Sequence, residues 1–281
     1  MSERPARPPR AESREVVELK QLKAAQPDLT SAVDMQLALV DMQRRVQSRV
    51  PLPWISADDS WLAAQEKAGR PLVRFGDIPL DWTDFRLTFR QTADILLRFD
   101  ALERSDYDPI VALAREGNAL EPVVSQWYAA TSGTGEARPT GAPASLDHVL
   151  VIALRPFLAR CAEVLRQRVT LSSTHSHCPF CGWEPDFACI TPSAERYLIC
   201  GRCTAQWPFA PLTCPFCQND DRGRISSFAT RDGRYRVYGC DVCHRYLKAY
   251  DGRTATRPVM VAVDTIATLP LDAAAMQRGY S

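Results

Sequence analysis

Four Cys-x-x-Cys pairs in the last third of this 281-residue chain constrain its fold more than any other feature. Eighteen residues (182–199) separate the first pair from the second, and 22 residues (218–239) separate the third from the fourth. Both intervals suit a short hairpin that returns the second pair to the first. The spacing therefore predicts two four-cysteine metal sites built from one duplicated unit. The expected metal ligands are Cys178, Cys181, Cys200, Cys203, Cys214, Cys217, Cys240 and Cys243.

The order of the pairs leaves two arrangements of these ligands open. A sequential arrangement, which we expect, joins the first pair to the second and the third to the fourth, whereas an interleaved one would use the same eight residues. Four thiolates in a tetrahedron suit both zinc and a mononuclear iron ion, so the metal is also open. Gly182, directly after the first pair, is expected to adopt a positive φ that would strain most residues. Gln218 stands at the matching position after the third pair, which predicts a weaker turn there.

The part of the chain before residue 170 has the periodicity of helices. Two apolar stripes each recur at intervals of three and four residues, which places their members on one helix face. Thr30 or Ser31 is the predicted N-cap of the first of these helices, and Asp81 that of the second. The stripes are Met35, Leu39, Met42, Val46 and Val50, and then Trp82, Phe85, Phe89, Ala93 and Leu96.

The predicted fold class is α+β, with an N-terminal all-helical domain followed by two tandem four-cysteine modules of the zinc-ribbon-like kind. Modules this small bury little apolar surface, so a bound metal is expected to stabilise them. The predicted divisions are a disordered lead (1–12), the helical domain (13–171), the first module (172–210), the second module (211–257) and a C-terminal tail (258–281) that packs back on the modules.

Charge and compartment narrow the functional classes. A formal net charge of +1 argues against an extended surface for nucleic-acid phosphates. The first 20 residues lack the apolar core of a signal peptide, and the apolar stretch 149–154 is too short to cross a bilayer, so we expect a cytoplasmic protein. Cytoplasmic thiols are kept reduced, which favours metal binding over structural disulfides for the ten cysteines.

Residues outside the four pairs give weaker signals. Cys161 lies on an apolar helix face and is expected in the core. Cys189 is expected in a strand, with a reactive thiol as the alternative. His175, His177 and His244 flank the cysteine pairs and are expected beside the metal sites or in solvent rather than as ligands.

The four pairs and their flanking residues resemble the FdhE family of formate dehydrogenase accessory proteins. The order of the pairs matches that family, and the closing segment 263–280 is also similar. The segments that carry the resemblance are CPFCG (178–182), RYLICGRCTAQW (196–207), CPFC (214–217) and CDVCHRYLK (240–248).

This resemblance implies two rubredoxin-like modules, each holding one iron ion, after a helical domain. It also implies a protein that is not an enzyme, a cytoplasmic maturation factor that binds the catalytic subunit of a molybdenum- or tungsten-dependent formate dehydrogenase and is needed for its activity. Nucleic acid is not expected as a partner.

Two other functional classes use the same cysteines. One is a zinc-ribbon protein that binds nucleic acid, for which residues 172–257 provide 11 basic against 8 acidic side chains. The other is a thiol-disulfide oxidoreductase, which requires a Cys-x-x-Cys pair that opens a helix in a βαβ unit.

Overall fold

The computed structural model describes residues 12–55, 58–132, 144–172, 174–253, 255 and 257–281. Of the predicted disordered lead, only Glu12 falls within the described residues. The described chain before residue 172 is helical, as its periodicity predicts. Its α-helices are α1 (Arg14–Ala25), α2 (Thr30–Gln47), α3 (Asp59–Lys67), α4 (Trp82–Arg98), α5 (Arg104–Arg115), α6 (Leu120–Thr131) and α7 (Ala144–Leu165).

One of the two predicted N-caps is confirmed and the other is wrong. The Asp81 carboxylate accepts hydrogen bonds from the amides of Thr83 and Asp84 at the start of α4, which satisfies donors that have no partner within the helix. Helix α2 instead continues directly from a 3₁₀ turn at Pro27–Leu29, and no side chain caps it. Thr30 already has helical dihedral angles there, because the turn rather than an extended cap residue leads into the helix.

The main hydrophobic core runs from the helices into the cysteine-rich region. Phe85 and Phe89 on α4 and Phe157 on α7 are buried within it, and the Phe85 and Phe157 rings meet at a centroid distance of 5.8 Å. The same core includes Phe180 and Trp207 from the first module. The helices and the first module therefore share one core.

The cysteine-rich region forms a single six-stranded sheet. Its strand order is β3-β2-β1-β6-β5-β4, so each module supplies one antiparallel half. The halves join where β1 pairs with β6 in parallel, from Phe187 opposite Lys248 to Ile190 opposite Asp251. The two modules are thus fused through their strands. The strands are β1 (Pro185–Ile190), β2 (Arg196–Cys200), β3 (Gln206–Phe209), β4 (Ile225–Ala229), β5 (Tyr235–Cys240) and β6 (Tyr246–Asp251).

Both faces of the central strands are covered. Successive side chains of a strand point to opposite faces. Accordingly, Leu198 and Ala249 belong to the main core with the helices, whereas Ile199 and Tyr250 belong to a second cluster with residues of the C-terminal tail. Coverage of both faces explains why these strands have nearly continuous apolar sequences.

The C-terminal tail contacts both halves of the protein. It contains α8 (Val261–Ala267) and α9 (Leu269–Gln277). Apolar residues of α8 pack against α1 and α2. The carboxylate of Asp272 on α9 accepts hydrogen bonds from Tyr246 Oη at 2.7 Å and Lys248 Nζ at 2.6 Å, both on β6. The tail therefore holds the helices and the sheet together.

The carboxylate of Asp264 is the polar centre of this junction. It is fully buried and accepts hydrogen bonds from Tyr235 Oη at 2.8 Å, from the Met260 amide at 2.6 Å and from the Arg257 guanidinium at 2.6 Å. The same guanidinium lies 3.5 Å from Glu18 on α1. The C-terminal tail, the sheet and α1 therefore meet at one network of ion pairs and hydrogen bonds.

No helix within the described ranges is both long enough and apolar enough to cross a bilayer.

Replacing Asp264 by Ala is expected to lower the free energy of unfolding by about 3–5 kcal/mol, because the buried Arg257 would keep only the more distant Glu18 carboxylate as an ion-pair partner, and Tyr235 Oη would lose its acceptor. Urea denaturation followed by circular dichroism measures the change. Asp41→Ala is the matched control, since its ion pair with Arg45 is exposed and contributes less than about 1 kcal/mol. Equal losses in the two variants would contradict the importance of the buried network.

Candidate metal centres

The four Cys-x-x-Cys pairs fold into four equivalent turns. In each turn, the amide of the residue after the second cysteine donates to the carbonyl of the first cysteine, at 2.8–3.1 Å. The amide of the first cysteine donates in return to the carbonyl of the residue two positions after the second cysteine, at 2.8–2.9 Å. These two bonds close the loop and direct both sulfurs to one side. The residue after the second cysteine has a positive φ in all four turns, namely 73° at Gly182, 59° at Thr204, 59° at Gln218 and 57° at His244.

The positive φ predicted for Gly182 is therefore confirmed. Gln218 adopts the same conformation without glycine, and its turn retains both hydrogen bonds at 2.9 Å. The third turn does not need a glycine, because the left-handed backbone conformation costs Gln218 only a modest strain.

The turns bring the sulfurs together in two groups, and within each group the ligand atoms all lie within 4.8 Å of one another. The arrangement is sequential, with the first pair facing the second and the third facing the fourth. In the first cluster, Cys178 Sγ lies 3.5 Å from Cys203 Sγ, and Cys181 Sγ lies 3.5 Å from Cys200 Sγ. In the second cluster, the corresponding distances are 3.7 Å (Cys214 to Cys243) and 3.6 Å (Cys217 to Cys240).

These distances suit a tetrahedral metal. A metal to sulfur bond of about 2.3 Å in a regular tetrahedron places the sulfurs about 3.8 Å apart. Backbone amides also point at the sulfurs, as the amides of Arg202 and Cys203 lie 3.3 and 3.4 Å from Cys200 Sγ. Such N–H groups stabilise thiolates that bind a metal. Each cluster can therefore hold one metal ion.

Relatives with known names match the chain in sequence. An FdhE homologue of Pectobacterium carotovorum is 28% identical over 134 residues, which cover 46% of this chain and 43% of that protein. One from Stutzerimonas stutzeri is 28% identical over 108 residues, covering 37% and 35% of the two chains. One from Pseudomonas aeruginosa is 26% identical over 191 residues, covering 61% and 60%. The first two matches span less than half of each relative's length. No family model matches the chain.

A solved structure matches the fold along nearly the whole chain. The crystal structure of the FdhE protein from Pseudomonas aeruginosa aligns with a TM-score of 0.66 at 22% identity, over 95% of this chain and 91% of that one. The chain is therefore similar to FdhE proteins in sequence over part of its length and in fold over nearly all of it. The comparisons confirm the resemblance predicted from the cysteine motifs, and with it the predicted α+β fold of a helical region followed by two four-cysteine clusters.

A buried arginine fixes the first cluster to the helices. The Arg202 side chain, between the ligand candidates Cys200 and Cys203, is fully buried. Its guanidinium lies 4.6 Å from the ring centroid of Tyr128 and 4.9 Å from that of Trp183, distances at which a cation and an aromatic face attract. It donates to the carbonyl of Cys181 and to Ser132 Oγ at 2.8 Å. Sequence reasoning missed this residue, because a positive charge between two cysteines does not indicate burial.

The ionisation of the first cluster requires a cation. Burial raises the pKa of the Cys178 and Cys203 thiols well above their usual range. Burial acts in the same direction on Cys181, but hydrogen bonds from the neighbouring thiols and the charge of Arg202 lower its pKa well below that range. Four thiolates can coexist at this depth only with a metal ion between them.

The other cysteines lie outside both clusters. Cys161, on α7, is fully buried in the main core, as predicted, and burial raises the pKa of its thiol to about 12. Cys189 lies in β1, as predicted, where burial raises its pKa to about 11. Both shifts disfavour a reactive thiolate near neutral pH.

The histidines near the pairs have other contacts. His175 Nε2 lies 2.9 Å from a Glu66 carboxylate oxygen, and His177 Nδ1 lies 3.0 Å from Ser176 Oγ. His244 occupies the left-handed position of the fourth turn. Among the described residues, the groups close enough to share a metal are the two cysteine clusters.

The turns differ from the redox-active pair of a thiol-disulfide oxidoreductase. That pair lies at the start of a helix, whose N-terminus lowers the pKa of its first thiol. Here the second and fourth pairs begin at the ends of β2 and β5, and the first and third follow irregular backbone.

Replacing Gly182 by Ala is expected to lower the free energy of unfolding of the metal-loaded protein by about 2–5 kcal/mol, which combines left-handed strain with overpacking. A Cβ at this position would lie 2.5 Å from the carbonyl oxygen of Ser132 and 2.7 Å from Pro71 Cγ. Gly233→Ala is the matched control, because Gly233 has a φ of 69° and no heavy atom within 4 Å of the added Cβ. Its expected loss is about 1–2 kcal/mol. Equal losses in urea denaturation would refute a steric requirement at Gly182.

Proposed function

We propose that this protein is an accessory factor that binds the catalytic subunit of a molybdenum- or tungsten-dependent formate dehydrogenase and is needed for that enzyme's activity. The FdhE names of its relatives and the FdhE fold support this role. The observation that carries the proposal is the pair of four-cysteine clusters on one fused sheet, which reproduces the motif order on which the resemblance rests. We also propose that it works in the cytoplasm, where reduced thiols remain available to a metal.

The two clusters are proposed to hold two mononuclear metal ions, with iron as the metal that the family resemblance implies and zinc as the alternative. Cys178, Cys181, Cys200 and Cys203 would hold one ion, and Cys214, Cys217, Cys240 and Cys243 the other. The spacing of the sulfurs supports a tetrahedral ion at each. Bound iron would supply one-electron redox chemistry, whereas zinc would be structural.

The residues around the clusters would stabilise the metal-binding thiolates and hold the two sites in fixed positions. The amides near Cys200 donate to its sulfur, and the positive charge of Arg202 lowers the pKa of Cys181, so both stabilise negative charge on the first set of sulfurs. The ion pair of Arg245 with Glu184 joins the two modules through bonds of 2.9 and 2.8 Å, so the clusters keep a fixed relation on the sheet. This arrangement fits a rigid binding partner, and we infer that the protein is not itself a catalyst.

Co-purification under exclusion of oxygen tests the proposal. A tagged chain is expected to retain a formate dehydrogenase catalytic subunit and about two equivalents of metal. Cys181→Ser and Cys214→Ser, one in each cluster, are each expected to lose one equivalent and most of the retained subunit. Cys189→Ser is the matched control, since Cys189 lies outside both clusters, and it is expected to behave as the unaltered chain.

A cellular assay adds the activity readout. In a bacterium that lacks its own FdhE protein, the unaltered chain and Cys189→Ser are expected to restore formate-dependent dye reduction, and the two cluster variants are not. A chain that carries two metal equivalents, yet neither retains the catalytic subunit nor restores activity, would refute the accessory role while leaving the metal centres intact.

A further inference from the structure

The two cysteine clusters differ in how closely solvent approaches their sulfurs. All four cysteines of the first cluster are at most 1% exposed. In the second cluster, Cys214 and Cys240 are buried, but Cys243 is half-buried and Cys217 is exposed. A duplicated unit thus gives one closed site and one with an open edge at Cys217.

The helical part of the protein closes the first cluster. The amides of Leu72 and Val73 donate to the carbonyls of Pro179 and Phe180 within the first turn, at 2.9 and 2.8 Å. On the second turn, Arg155 of α7 donates to the carbonyl of Gly201 at 2.7 Å. Arg202 adds a bond of 3.0 Å to Thr131 Oγ1 at the end of α6. Opening this site therefore requires separation of the sheet from the helices.

The second cluster has a much smaller cover. The ring of Tyr280, next to the last residue of the chain, lies against Gly239 so closely that a Cβ there would be 2.5 Å from Tyr280 Cζ. Its hydroxyl donates to the Asp241 carboxylate at 2.6 Å, and the Ser281 amide donates to the carbonyl of His244 at 2.8 Å. These contacts surround the fourth Cys-x-x-Cys turn, and we name them the Tyr280 latch.

The latch has few contacts outside this turn. Gly279 has a φ of 85°, which lets the chain leave α9 and bend toward the fourth turn. The Gly279 and Ser281 positions are exposed, and Tyr280 is only half-buried. A short exposed segment opens at far lower free energy than a packed domain interface.

We propose that the second cluster is the rapidly exchanging metal site of the pair, reached at Cys217 and held at its fourth Cys-x-x-Cys turn by the Tyr280 latch, whereas the first cluster exchanges slowly. This inference rests on the proposed metal centres. With an ion bound, Cys217 would be the first ligand to leave: a donor atom of the incoming ligand would replace its sulfur, and the released thiolate would take a proton from the buffer. The oxidation state of the metal does not change.

A chelator challenge of the full chain tests the inference. The chain is loaded with two equivalents of zinc and mixed with an excess of the coloured chelator 4-(2-pyridylazo)resorcinol. We expect two phases of one equivalent each. Brief alkylation with iodoacetamide during the fast phase, followed by peptide mass spectrometry, is expected to label the cysteines of the second cluster and leave those of the first unlabelled.

Substitutions at two residues, Tyr280 and Arg202, separate the two clusters. Tyr280→Ala removes a charge-assisted hydrogen bond and a ring contact, and is expected to accelerate the fast phase about tenfold without changing the slow phase. Tyr280→Phe keeps the ring and is expected to give a smaller acceleration. Arg202→Met is expected to accelerate only the slow phase. Arg202→Lys, which keeps the charge but loses the paired N–H groups, serves if Arg202→Met does not fold.

The outcomes distinguish this inference from the proposal on which it rests. Release of both equivalents in one phase, earlier labelling of the first cluster, or an unchanged fast phase in Tyr280→Ala would overturn the inference while leaving two metal centres. A chain that binds fewer than two equivalents would overturn the metal centres themselves, and the inference with them.

Discussion

The buried guanidinium of Arg202 is the interaction on which the arrangement of the two halves depends. It lies between two cysteines of the first cluster, yet its hydrogen-bond partners include hydroxyls at the end of α6. A buried cation is costly unless hydrogen bonds and opposite charge surround it. Here the aromatic rings of Trp127, Tyr128 and Trp183 and the carbonyl of Cys181 form that environment. The first cluster is consequently part of the main core, and the helices cannot shift without disturbing it.

The pairing of β1 with β6 joins the two modules into one six-stranded sheet. Each half-sheet alone would leave an unpaired strand beside apolar residues, and such edges invite association with other chains. Parallel pairing of β1 with β6 removes both inner edges. The outer edge at β4 is short and carries several exposed residues, as expected for an edge in contact with water. The tail then covers one face, with Asp264 and Asp272 anchoring it to β5 and β6.

Duplication has given two clusters of the same design in different surroundings. All four turns share their backbone hydrogen bonds and their left-handed residue. What differs is the neighbouring structure, which is a helical domain for the first cluster and the short segment 279–281 for the second. Gly182 illustrates the consequence, because its turn faces Ser132 and Pro71 too closely for any side chain, whereas Gln218 fits the equivalent turn. The same ligands can therefore serve different purposes within one sheet.

Much of this protein follows from local sequence. The four Cys-x-x-Cys spacings, the apolar stripes and the Asp81 cap predicted the turns, the helices and the fold class, because each depends on residues a few positions apart. The N-cap predicted for α2 was wrong even at this range, since the 3₁₀ turn before Thr30 removed the need for a cap.

The tertiary structure alone decided which surfaces meet. The burial of Arg202, the parallel pairing of β1 with β6 and the position of Tyr280 against Gly239 join residues that are 41 to 71 positions apart or lie in different modules. Contacts at such separations depend on packing against several elements at once, and no periodicity or spacing encodes them. The sequence by itself determined that there would be two equivalent sets of four thiols. Only the fold made one of them buried and the other open to solvent.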